Sequence, residues 1–161
     1  MKRLLIALVG FAALGLVAAA CTPQQVMEAN LAVGVNRLRT ESGLPPLRVD
    51  ASLAAVARLR AEDMARKGYF SHNPPDGCDF ACLYQRFGIA TAWAGEVIAW
   101  NNYPLDQAVD VTVRMWKESP PHYATITNCH FERMGTGAAT APDGRIYHVT
   151  VFEGNALGCA P

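Results

Sequence analysis

The sequence predicts an α+β fold on three observations. Apolar residues recur at helical spacing through most of the chain, and cap residues stand at the ends of the runs. The last part switches to β-branched and aromatic residues around one tight-turn signal, Pro142-Asp143-Gly144-Arg145. Helices therefore come first and an antiparallel hairpin closes the chain, an order that segregates the two kinds of element.

Val26 to Ser42 reads as the first helix, stopped by Gly43 with Pro45 and Pro46 beyond it. Residues 22–25, Thr-Pro-Gln-Gln, read as a short tether ahead of that helix. Asp50 is the expected N-cap of a second helix, which runs to about Lys67 and closes at Gly68. Leu53, Val56, Ala57, Arg60 and Met64 fall on one stripe of it, while Arg58, Glu62 and Arg66 face elsewhere. A Pro/Asp/Gly-rich loop, Asn73 to Gly77, follows Ser71 and His72, and Phe80 to Phe87 reads as a short helix ended by Gly88. Pro104 suits a first helical position, with Leu105, Ala108, Val109, Thr112 and Trp116 at helical spacing after it. Ser119-Pro120-Pro121 is a further helix start, with Ser119 as cap and His122 in the first turn. From Phe131 the pattern is strand-like, and Ile146 to Phe152 forms the strand beyond the turn.

Composition narrows the class. A chain of 161 residues suits one domain. Its 51% apolar and 17% charged residues exclude a disordered chain. Basic and acidic residues balance at 14 each, and no Lys/Arg run exceeds two residues. Nucleic-acid binding needs a basic stripe, so that class is excluded. A monomer is expected.

Lys2 and Arg3 precede an apolar run from Leu4 to Val17, followed by three alanines and Cys21. A short basic segment, an apolar stretch of this length and small residues at the cut describe an export signal over residues 1–20. The run is shorter than the ~20 apolar residues of a spanning helix. The small residues before Cys21 resemble the lipobox of bacterial lipoproteins, in which that cysteine is acylated and becomes the N-terminus. Ala18 stands where the lipobox usually carries a larger aliphatic residue, and ordinary cleavage at the same site is the alternative. Cysteine parity favours the lipid: with Cys21 acylated, Cys78, Cys82, Cys129 and Cys159 can close two disulfides in an oxidising compartment. Removal of the signal leaves 12 basic and 14 acidic residues, a net charge of −2.

His72, Glu96 and His122 are the ionisable residues placed at turns or element ends. Glu96 lies in Ala94-Gly95-Glu96-Val97-Ile98-Ala99-Trp100, where a carboxylate is costly to bury without a partner. Two imidazoles and a carboxylate can bind a divalent metal or perform acid–base work if the fold unites them. Their separations in sequence match no local ligand motif. His130 and His148 read as structural or surface residues, and Trp93, Trp100 and Trp116 as core or cleft wall.

These residues carry a resemblance. Val35-Asn36-Arg37-Leu38-Arg39, Gly43-Leu44-Pro45-Pro46-Leu47, Tyr69-Phe70-Ser71-His72, Gly95-Glu96, Trp116 with Ser119-Pro120-Pro121-His122, and Met134-Gly135-Thr136-Gly137 occur in this order over residues 26–155. In this the chain resembles the CAP superfamily (cysteine-rich secretory, antigen 5 and pathogenesis-related 1), in its bacterial SCP-like branch. The resemblance implies a three-layer α-β-α sandwich with a small antiparallel sheet over residues 26–161. It also implies one central cleft lined by His72, Glu96 and His122, often holding a divalent cation, commonly zinc. Many relatives add a second glutamate where this chain has Ser119, and Glu118 is one residue away from that position. Gly95-Glu96-Val97 replaces the family's Gly-Glu-Asn.

Four cysteines allow three disulfide connectivities. The pairing expected is Cys78 with Cys82, and Cys129 with Cys159 across the terminal hairpin, although spacing alone leaves the others open. A zinc site built from the four thiolates is the rival, disfavoured because exported thiols oxidise. The functional expectation is a non-catalytic extracytoplasmic module, held at a membrane by lipid on Cys21. Its cleft would bind a cation, a small lipid or a cell-envelope component. The alternative is a metal-dependent hydrolase using the same three residues, with Glu96 as ligand or general base. The sequence offers it no His-Glu-x-x-His helix and no activated nucleophile.

Overall fold

The computed structural model describes residues 21–155. The expected export segment 1–20 and Cys159 lie outside them.

Helix α1 (Pro23–Glu41) begins three residues before Val26. Thr22 caps it: its hydroxyl accepts from the Gln25 backbone N–H at 3.2 Å, and the Gln25 side chain accepts from the Thr22 N–H at 2.8 Å. This reciprocal box, with Pro23 in the first turn, draws Pro23, Gln24 and Gln25 out of the expected tether and into the helix. A two-residue strand, β1 (Arg48–Val49), follows. Helix α2 (Ala51–Lys67) is capped by Asp50, which accepts from the Ser52 and Leu53 N–H groups, and it closes at Gly68 with φ 71°. Helix α3 (Phe80–Arg86) is capped by Asp79. Strand β2 (Trp93–Asn101) is an element that the sequence pattern does not single out. Then come α4 (Leu105–Glu118), α5 (Pro120–Ile126) and the expected hairpin of β3 (Arg133–Thr140) and β4 (Ile146–Gly154). Gly144, φ 86°, supplies the left-handed residue of its turn.

The four strands lie in the order β1-β3-β4-β2. β2 and β3 run antiparallel to β4, as expected, whereas the short β1 pairs parallel with β3. Residues alternate between the two faces. Val97, Ala99, Met134, Ala138, Ile146 and Phe152 pack with α1 and α4 on one side. Ile98, Ala139, Tyr147, Val149 and Val151 pack with α2 on the other. This is the three-layer α-β-α arrangement implied by the resemblance. On the α2 side, Gly135 and Gly137 permit an unusually close approach: a Cβ at either would collide with the helix backbone at Leu53–Ala54 or Ala57–Arg58. On the other side, the buried Arg39 ties the end of α1 to the end of α5. It donates to the carbonyls of Pro45, Ile126 and Asn128 at 2.8–3.1 Å.

Cys78 and Cys82 form a disulfide that closes the loop onto α3. Cys129 is also disulfide-bonded. The expected Cys129–Cys159 pairing involves a residue outside those described. Cys21 is exposed and in no disulfide.

Candidate functional site

The site forms where the sheet ends. β2 is an edge strand, so its outer side opens between the two helical layers. Glu96 lies within β2, not at an element end, and faces α2 through its register opposite Val151. The chain leaving α2 delivers His72 to one side of this edge, and α5 delivers His122 to the other. Trp116 of α4 donates from Nε1 to the Ile98 carbonyl at 3.2 Å, fastening the helix layer to the edge strand.

The Glu96 side chain is wholly buried. His72 Nδ1 lies 2.7 Å from its Oε1, and Arg60 donates from Nε to Oε2 at 2.9 Å. Arg60 holds the surrounding chain as well, donating from Nη2 to the Ser71 and His72 carbonyls at 2.8 and 3.1 Å. From Nη1 it reaches the Tyr69 hydroxyl at 3.0 Å, which itself donates to Asp63. Burial works against the Arg60 charge, and the hydrogen bond and charge of Glu96 outweigh it, so its pKa is raised. Burial first, and then the bond to Asp63, push the Tyr69 phenol up to about 12. A buried ion pair contributes little net stability, because desolvation consumes most of the attraction. Its effect here is geometric: one guanidinium fixes both Glu96 and the backbone that presents His72.

Half of the His72 side chain remains exposed beyond this anchor. His122 is half-buried, and its Nδ1 lies 2.9 Å from Ser119 Oγ. Burial, followed by the charge of His72, lowers the His122 pKa. That influence marks the two imidazoles as electrostatic neighbours. Each engages Nδ1 internally, and Nε2 is the ring nitrogen left over on each. Among the described residues, no group of three or more His, Cys, Asp or Glu side chains is arranged to hold a metal ion. Of the expected set, His72 and Glu96 are in direct contact, whereas His122 bonds to Ser119 instead. Glu96 orients His72, as a carboxylate behind a ligating histidine does. Glu118 is exposed at the end of α4 and belongs to no such arrangement.

Beside His122 runs a groove of about 520 Å³, walled by Phe70, Trp100, Tyr103, Met115, Trp116 and Ser119. Phe70, Trp100, Tyr103 and Met115 are each 39–48% exposed, so they present an apolar surface to solvent. Of the three tryptophans, Trp116 is core and Trp100 is groove wall. Trp93 is neither: it stacks on His130 with ring centroids 3.9 Å apart. A larger cavity of about 790 Å³ lies under α3, lined by Asp63, Arg66, Asp76, Cys78 and Arg86, and contains neither candidate histidine.

Sequence reasoning missed two parts of this site. Arg60 was legible as an anomaly, since a guanidinium on an otherwise apolar helix stripe must be buried and must find an acid. Ser119 stands at the N-cap of α5 as expected, but its side chain makes no capping hydrogen bond.

The fold is a small α-β-α sandwich with the candidate residues at its sheet edge, and similarity to known proteins says to which family it belongs. Residues 34–152 match the CAP family of cysteine-rich secretory proteins, and the chain belongs to that family, in its bacterial SCP type. It is 33% identical over 102 residues to the uncharacterized protein YkwD of Bacillus subtilis (strain 168), a match covering 63% of this chain. The match spans only 38% of that relative's length. Two solved structures share the fold, each with a TM-score of 0.70. An outer surface protein from Borrelia burgdorferi is 19% identical, with 81% of this chain and 93% of that one covered. An extracellular SCP-domain protein from Bacillus anthracis str. Ames is 24% identical, with 84% and 45% covered. No described helix is long and apolar enough to cross a membrane.

Proposed function

We propose that this is an extracytoplasmic binding module, anchored by an acylated Cys21, that holds a divalent cation between His72 and His122 and an amphiphile in the groove beside them. One observation carries the reading. An exposed aromatic groove is lined by His122, whose Nδ1 is already engaged by Ser119, and the charge of His72 acts on that ring. Paired imidazoles suit zinc, and two protein ligands leave coordination positions for a ligand headgroup. When bound, the cation would supply Lewis acidity to an anionic or carbonyl oxygen. The chain's own part is to aim the two rings, through Glu96 and Ser119, and to cover the apolar portion of the ligand with Phe70, Trp100, Tyr103 and Met115. A lipid or a cell-envelope amphiphile has both features. The mostly apolar wall with a few polar groups at one end is typical of such sites.

Hydrolysis is the less favoured reading. Its general base would be Glu96, which is wholly buried and already bonded to both Arg60 and His72.

Calorimetric titration of the purified protein with Zn²⁺ tests the proposal. One ion per chain is expected, with binding abolished in His122→Ala. Oleate added to the zinc-loaded protein should shift tryptophan emission in Trp93→Phe but not in Trp100→Phe. Equal zinc affinity in wild type and His122→Ala would refute the cation site. Zinc-dependent turnover of ester or peptide substrates would replace binding with catalysis.

A further inference from the structure

Ser119 holds the N-cap position of α5, yet its hydroxyl caps nothing. A capping hydroxyl accepts from the backbone N–H of the second or third helical residue. Here the second is Pro121, which has no N–H, so the third, His122, is the one capping donor left to the serine. The double proline starts the helix through its fixed φ. The hydroxyl turns to His122, one turn ahead, at 2.9 Å from Nδ1.

A neutral imidazole carries its single proton on one nitrogen, and the hydrogen bond made by that nitrogen decides which one. A cation requires the other nitrogen bare. We propose that Ser119 is the positioning residue of His122: its Oγ accepts from Nδ1–H, fixes the Nδ1–H tautomer and leaves Nε2 bare toward the cleft. The hydrogen bond between His72 and Glu96 is built in the same sense, with Nδ1 facing a fixed acceptor. The site thus has one ring backed by a charged acceptor and one backed by a neutral hydroxyl. Ser119 also walls the apolar groove, so the residue that orients the ring stands beside the proposed ligand's tail.

The significance for binding rests on the cation reading above, but the tautomer is measurable without a cation. Long-range ¹H–¹⁵N spectra of the metal-free protein, labelled at histidine, report it directly. His122 is expected as Nδ1–H in the wild type. In Ser119→Ala it should move toward Nε2–H, the form that free imidazole favours, while His72 keeps its own state. Ser119→Thr, which restores a hydroxyl, should restore the wild-type spectrum. Zinc affinity is expected to fall about tenfold or more in the alanine variant and to recover with threonine. An Nε2–H His122 in the wild type, or the same tautomer in wild type and Ser119→Ala, overturns the proposal. The expected tautomers without any zinc binding uphold the role of Ser119 and refute the cation reading.

Discussion

His148 is a histidine set among alanines. It lies in mid-β4 opposite Ala99 and Ala138, has no solvent exposure, and neither ring nitrogen has a hydrogen-bond partner among the described residues. Burial pushes its pKa down to about 4. The unfolded chain therefore takes up a proton near pH 6.5 that the folded protein refuses until about pH 4. Stability is fully present above the unfolded value and is lost as the pH falls through this window. At ~1.4 kcal/mol per unit, the loss is about 2–3 kcal/mol by about pH 4.5. Urea unfolding at pH 7 and about pH 4.5 should show this loss in the wild type and a clearly smaller one in His148→Leu. An identical acid dependence in both would remove His148 as its source. Sequence alternation marks His148 as a strand residue without chemistry. Its complete burial could not be read there, because that depends on helices packing over both faces of the sheet. Arg60 teaches the converse: one charge in an apolar stripe was a visible anomaly, although its partner, 36 positions away, was not.

At the scale of elements, the contact of α2 with β3 is the tightest constraint on the cleft, because α2 carries Arg60 and delivers His72. Gly137 lets the helix backbone settle directly on the strand. Gly137→Ala should force the two apart and cost about 1–3 kcal/mol, as overpacking of a dense core does. Thermal unfolding of the variant checks this, and an unchanged midpoint would mean that the helix has room to retreat. Helices with polar outer faces, their caps, and the Pro142–Arg145 turn were legible because each leaves a local pattern. The α1 start was misplaced at Val26, because the proline of Thr22-Pro23-Gln24-Gln25 mimics a loop although these residues spell a capping box. β2 was not. Its central Val97, Ile98 and Ala99 are buried on both faces, so the period of two that identifies a strand vanishes there. With the strand unseen, Glu96 could be nominated for the site but not placed, and the two-imidazole geometry stayed out of reach.

The molecule as a whole is a clamp of two helical layers on a four-stranded sheet, with a histidine pair at the edge where the layers part. Such an edge keeps a cleft rigid, since each wall is braced by its own hydrophobic core. In the proposed reading, Cys21 decides where this scaffold works. Intact mass of the protein recovered from membranes should show Cys21 carrying acyl chains; a bare Cys21 thiol would make the domain a freely diffusing one. The cap at Thr22 bears on that outcome. Only the cap residue Thr22 separates Cys21 from Pro23, the first residue of α1, two Cα–Cα steps of about 3.8 Å each. A lipid there would grant no leash. The domain would stand directly on the bilayer, unable to sweep the surrounding space, and its cleft would meet only molecules that pass at one fixed height. Encounter would then depend on partners diffusing past it within the envelope, which favours abundant components of the same layer over rare ones farther out.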